Sequence, residues 1–132
     1  MKLDKKILEE KIRKYRDSKS CSESTLMGLC ETAEYPISQA DMCKLACGFA
    51  GGMGGTFDEG TCGAVTGALM ANGLINDDIP TIKANAKEIF NAFKEEYGTV
   101  RCDKISKNGE DKSPCVDCCV FIANKVADLL DE

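Results

Sequence analysis

Eight of the twelve glycines fall between residues 48 and 67, in and around the stretch GGMGGTFDEGTCGAVTGALM, and the thiol of Cys62 lies among them. Backbone without β-carbons adopts conformations closed to other residues and can be approached closely by a second segment, so this stretch limits the fold more than any other. Gly63, Gly67 and Ala71 recur every four residues. On a helix that spacing leaves one face with almost no side chains, against which another helix or loop can pack tightly. Residues 51–55 then read as a flexible loop leading into that helix. They do not read as a phosphate cradle, because the Gly-Lys-Ser/Thr ending of a P-loop is missing and the glycines follow a helical run rather than a strand.

The rest of the chain carries helical spacing. Ile7, Leu8, Ile12 and Tyr15 form one stripe behind Asp4, a candidate N-cap. SCSESTLMGLCE opens with Ser20 and Glu23 in capping-box spacing and continues through Leu26, Leu29 and Cys30. After Pro36, Ser38 and Asp41 signal a third helix carrying Met42, Leu45, Ala46 and Phe49. The fourth is expected from Thr61 or Cys62 to Asn72-Gly73. DIPTIKANAKEIFNAFKEEYG places Pro80 in its first turn, puts Ile82, Ala86, Ile89, Phe90 and Phe93 on one face, and ends at Gly98. Ser113-Pro114 caps a last helix through Cys119, Ile122, Val126, Leu129 and Leu130. With no strand signal, the expectation is an all-α, single-domain bundle of five or six helices over residues 1–132. A Gly-rich loop precedes its central Gly/Ala-faced helix.

A net charge of −5 and the lack of any basic run argue against nucleic acid and against a polybasic membrane patch. The basic residues of the first helix (Lys5, Lys6, Lys11, Arg13, Lys14) are interleaved with Glu9 and Glu10 and read as a solvated face. MKLDKKILEEKIRK has neither an apolar core region nor a small-residue cleavage site, so it is not read as a signal peptide. The longest apolar stretch, CGAVTGALMANGLI, is too short to span a bilayer and contains Thr66 and Asn72, so no membrane insertion is expected. These features predict a cytoplasmic protein.

Nine cysteines and no histidine then define the chemistry. In a reducing compartment dense cysteine usage points to redox work or metal binding, and an odd number fits a closed disulfide framework poorly. Without histidine there is no Ser/His/Asp or Cys/His nucleophile and no c-type haem attachment, so no haem is expected. Cys21 follows Ser20 and Cys62 follows Thr61, which places both at predicted first helical positions. There the unpaired N–H groups and the helix dipole favour thiolate over thiol. A buried, inert Cys62 in a tight helix crossing is the competing reading. Cys43 and Cys47, one turn apart, and Cys30 read as core. Cys102, in TVRCDKIS, can head a short helix or turn. Cys115 and Cys118 form a CxxC, with Cys119 one turn beyond Cys115.

These residues resemble the C_GCAxxG_C_C family of redox-active cysteine proteins over residues 5–132. Cys21, the segment from Cys62 to Met70, Cys102 and a cysteine opening the last helix appear in the family's order. The chain has Thr61-Cys62-Gly63-Ala64 where the motif's name has Gly-Cys-Ala, although Cys62 to Gly67 fits the common CGAxxG form. Cys119 matches the last family cysteine best, since Ala123, Val126-Ala127 and Leu129-Leu130 follow at the family's spacing. Cys115 and Cys118 are additional thiols beside it. Cys30, Cys43 and Cys47 have no assigned counterpart. The resemblance implies redox-active thiols, and a related domain in a multi-haem cytochrome is associated with an iron–sulfur cluster.

Three readings follow. In the first, a thiol redox protein acts as a thiol–disulfide or electron-transfer oxidoreductase with a redox partner protein. Cys62 is its attacking thiolate, and Cys21, Cys102 or Cys119 resolves. In the second, Cys21, Cys62, Cys102 and Cys119 form a four-thiolate site for an iron–sulfur cluster or zinc, with Cys115 or Cys118 able to replace Cys119. A third reading leaves the thiols as packing in an interaction domain. The bare helix face can serve a homodimer as well as a core.

Overall fold

The computed structural model describes residues 1–57, 60–107 and 113–132. It is all-α: among the described residues there are seven α-helices and no strand, against the five or six helices expected. The extra helix is short and begins at Cys102. Residues 108–112 of the Lys-, Asn- and Gly-rich connector lie outside the described residues, and Ser113 and Pro114, expected to cap the last helix, are its first two residues.

Helix α1 (Lys5–Tyr15) starts where the Asp4 carboxylate accepts from the N–H groups of Lys6 and Ile7. Leu8 and Ile12, one turn apart, are fully buried, while Ile7 is 45% exposed and falls off the stripe. A helix advances about 100° per residue, so Ile7 and Leu8 cannot share one contact line. Helix α2 (Cys21–Thr32) has the expected capping box: Ser20 accepts from the Glu23 N–H and Glu23 reaches back to the Ser20 backbone. It is buried from Ser24 to Cys30 on every side, so it is a core helix and not an amphipathic surface one.

Helix α3 (Gln39–Ala46) is capped by Ser38, which accepts from the Asp41 N–H at 3.1 Å, and runs into a single 3-10 turn, Cys47–Phe49. Met42 and Ala46 face the core, but Leu45 is 47% exposed. The core placement expected for Cys43 and Cys47 is corrected too: Cys47 is exposed and Cys43 is half-buried beside the Met27 sulfur. The helix is too short to bury more than one line of residues.

Helix α4 (Gly63–Ile75) and α2 form a very close crossing. A β-carbon on Gly67 would stand 2.5 Å from the Ser22 carbonyl oxygen, and one on Gly63 would stand 2.8 Å from the Ser22 nitrogen. Neither separation is tolerable, so the small-residue face is the condition for this packing. That face is covered within the chain, and this removes the homodimer role considered for it. The helix continues past the expected stop at Asn72-Gly73. Asn72 is buried and donates from its side chain to the Ile82 carbonyl at 3.1 Å, so it ties α4 to the next helix and does not end its own.

Helix α5 (Ile79–Tyr97) begins at Asp78, which accepts from the Thr81 N–H, and ends at Gly98 in the left-handed conformation (φ 74°). Helix α6 (Cys102–Ser106) is a short turn of helix. Helix α7 (Ser113–Leu130) packs on α1, α2, α4, α5 and α6, with Cys118, Cys119, Ile122, Ala123 and Val126 fully buried. Each large apolar side chain removed from water in this way contributes about 1.5–3 kcal/mol before entropy is subtracted. Among the described residues no helix is long and apolar enough to cross a membrane.

Candidate functional site

A cavity of about 220 Å³ lies where helix starts converge, with Cys21, Cys62, Cys102 and Cys115 in its wall. Each thiol is delivered by a different element. Cys21 is the first residue of α2, immediately after its cap. Cys62 is the N-cap of α4, one position earlier than expected, and its carbonyl accepts from the N–H groups of Val65 and Thr66. Cys102 opens α6, and Cys115 is the third residue of α7.

The backbone explains why residues so distant in sequence meet. The Cys62 N–H donates to the Val100 carbonyl at 2.7 Å and the Cys102 N–H donates to the Gly60 carbonyl at 2.8 Å, on either side of an antiparallel bridge between Thr61 and Arg101. This pairing fixes Cys62 beside Cys102. The bare face of α4 then brings Cys21 close, since a β-carbon on Gly63 would lie 3.2 Å from the Cys21 Cβ. The glycine loop folds over the same point. Gly52 holds φ at 71°, and a β-carbon there would meet the Cys102 Cβ at 2.6 Å; one on Gly60 would meet the Gly52 carbonyl oxygen at 1.4 Å. The Phe57 N–H donates to the Gly51 carbonyl at 2.7 Å and closes the loop over the cavity.

Two further thiols stand behind this wall. The Cys119 Sγ donates to the Cys21 carbonyl at 3.8 Å, and the Cys21 Sγ donates to the Cys115 carbonyl at 3.9 Å. Cys118 lies close enough to Cys62 to raise the pKa of its thiol. The structure therefore places Cys21, Cys62 and Cys102 together as expected, sets Cys115 and not Cys119 in the cavity wall, and puts Cys118 and Cys119 one layer deeper. The CxxC spacing held the signal for Cys115. Nothing in the sequence separates three thiols clustered on one helix, because their facing depends on how α7 is rotated.

Burial reverses the electrostatics expected at the helix starts. Cys62 is 1% exposed, and its interaction with Cys118, together with burial, raises its pKa against the pull of the Ala64 N–H. For Cys21 the interaction with Cys115 acts downward, but the bond with Cys119 and burial outweigh it; the nearby Arg16 charge also pulls down. Burial raises Cys102 despite the Ser106 hydroxyl 3.9 Å away. Cys62 is thus held as a thiol, which corrects its expected state as the most activated thiolate. Cys21 is the one wall cysteine that is not fully buried. Arg16, which the sequence did not single out, also lines the cavity. Its only signal is its position, four residues before the cap of α2.

Among the described residues no three Cys, Asp or Glu side chains converge as a metal ion requires. Zinc–thiolate bonds of about 2.3 Å demand that convergence on one ion, so the arrangement does not fit the four-thiolate zinc reading. The family model described as "Putative redox-active protein (C_GCAxxG_C_C)" matches residues 19–130, most of the chain. The chain belongs to the C_GCAxxG_C_C family. No curated protein and no solved structure matches it. In this C_GCAxxG_C_C protein the matched segment contains all nine cysteines, including the six gathered at the cavity, while Arg16 precedes it.

Proposed function

We propose that the protein is a cytoplasmic thiol–disulfide oxidoreductase whose single domain stores a pair of electrons in the cavity thiols. The observation that carries this reading is the cavity itself, a small apolar chamber with four cysteines in its wall and two more directly behind them. Buried thiols held at raised pKa are inert toward bulk oxidants and react only with what enters the chamber.

Cys21 is the half-buried member and takes the attacking role first assigned to Cys62. Its thiolate, once deprotonated to solvent, attacks one sulfur of an external disulfide, forming a mixed disulfide and releasing one thiolate that takes up a proton. Cys119, after losing its own proton, attacks the Cys21 sulfur and releases the second thiol. The external disulfide is reduced to two thiols, and Cys21 and Cys119 are oxidised to one disulfide. A partner dithiol protein reverses the exchange. Cys62 and Cys118 form a second close pair, and Cys62 shares the cavity wall with Cys21, Cys102 and Cys115, so further exchange within the chamber can follow.

The test is a thiol count. Reduced protein treated with a small disulfide should lose two titratable thiols and regain them on reduction. Cys21→Ser should slow this loss about tenfold or more, the scale of losing a named attacking thiol. Cys47→Ser, at an exposed site outside the cavity, should remove only its own single thiol. Unchanged paired oxidation in Cys21→Ser would reject the assignment.

A further inference from the structure

The cavity wall contains one formal charge among its described residues, and it is Arg16. Arg16 is the residue at which α1 ends, and its guanidinium donates from one terminal nitrogen to the Lys19 carbonyl. That bond turns the side chain along the 16–19 turn toward Ser20 and Cys21. The Arg16 Nε is buried and has no hydrogen-bond partner. An unmade hydrogen bond on a buried charged donor is costly, and a guanidinium fork is shaped to receive a carboxylate. Among the described residues no Asp, Glu or second cation shares the wall, whose other members are apolar, glycine, serine or cysteine. At about 220 Å³ the chamber is below the range of roughly 300–1,000 Å³ that holds drug-sized ligands, so its occupant is compact.

We propose that Arg16 makes the cavity selective for small disulfides that carry a carboxylate, by holding that carboxylate while Cys21 attacks the adjacent sulfur. The inference rests on the thiol-exchange reading and adds its substrate class. The electron balance is that of the exchange above: one carboxylate-bearing disulfide is reduced to two carboxylate-bearing thiols as Cys21 and Cys119 lose two electrons and two protons. Arg16 is a specificity residue, since it binds the substrate and takes no proton. The overall charge of −5 works against this preference, so an anion favoured over a neutral analogue must be favoured locally.

The experiment compares three disulfides of similar length and different charge: dithiodipropionate (anionic), dihydroxyethyl disulfide (neutral) and cystamine (cationic). Each is mixed with the reduced full chain, and the mixed disulfide at Cys21 is timed by quenching and mass spectrometry. The anionic compound should react fastest in low salt, and added salt should erode its advantage. Arg16→Gln should lower the anionic-to-neutral rate ratio about tenfold, the scale of one charge-assisted hydrogen bond, and Arg16→Lys should keep part of it. A purely structural role for Arg16 would slow all three compounds alike and leave the ratio unchanged; that result overturns the proposal. So does a wild-type order with cystamine or the neutral compound first, which decides the matter even if Arg16→Gln does not fold. If none of the three oxidises a cavity thiol, the exchange reading itself falls, and this inference falls with it.

Discussion

Gly67 and Ser22 touch through backbone: a β-carbon on Gly67 would lie 2.5 Å from the Ser22 carbonyl oxygen, so α2 and α4 approach only because that atom is absent. Cys21 immediately precedes Ser22, so the same contact sets its distance from Cys62. Gly67→Ala should therefore destabilise the protein by about 1–3 kcal/mol through overpacking, even after a gain of up to about 1 kcal/mol in helix propensity. Gly73 lies on the same helix with nothing within 4 Å of its would-be β-carbon. Gly73→Ala should stabilise by about 0.5–1 kcal/mol. Urea unfolding of the two variants checks the contrast, and equal shifts of the same sign would contradict the close crossing.

Native alkylation should follow exposure and not helix-start position. Cys47 is exposed, Cys21 and Cys43 are half-buried, and Cys30, Cys62 and Cys118 are buried. A timed labelling series read by peptide mapping should find Cys47 first, Cys43 and Cys21 next, and Cys30, Cys62 and Cys118 only on unfolding. Early labelling of Cys62 would restore it as the reactive thiolate.

Stability should fall in alkali. Burial and the neighbouring Glu31 charge push the Cys30 thiol from 9.0 to about 12, and Cys21, Cys62 and Cys102 are raised in the same direction. A raised folded pKa means that above the unfolded value the unfolded chain binds fewer protons than the folded one. The stabilisation is then fully present below pH 9 and is lost progressively as pH climbs toward 12 for Cys30. Urea midpoints should be flat from about pH 7 to 8.5 and decline beyond, and Cys30→Ala should shallow that decline. A midpoint that rises with pH over this window would have the wrong sign.

The helices are legible in the sequence because their signals are local. Asp4, Ser20 and Ser38 accept from the backbone of the turns they precede, Pro80 sits in the first turn of α5, and Gly98 ends α5 in the conformation glycine permits. The bare face of α4 is legible too, since Gly63, Gly67 and Ala71 recur at a helical interval. What α4 packs against is not, because nothing local links Gly67 to Ser22. The cavity is half legible. Cys21, Cys62 and Cys102 stand at helix starts that sequence locates, but the choice of Cys115 over Cys119 depends on the rotation of α7. The reversal of thiol acidity has the same origin. The helix-start effect is a property of one helix, whereas burial arises from all of them at once and outweighs it.

Metal content gives an independent check. Protein purified without oxygen should be free of stoichiometric zinc, because no three donors converge on one ion among the described residues, and the exchange reading expects it to be colourless. Bound iron and sulfide with charge-transfer absorption, lost in Cys21→Ser, would mean that the thiols close on a cluster.

The most direct measurement is a disulfide map. The protein is equilibrated with a low-molecular-weight thiol–disulfide buffer, trapped with acid, digested without reduction and analysed by mass spectrometry. The account predicts one reversible link, between Cys21 and Cys119, formed while Cys30, Cys43 and Cys47 remain free. A link confined to Cys43 and Cys47, or no link at all in oxidising buffer, would contradict a redox role for the cavity.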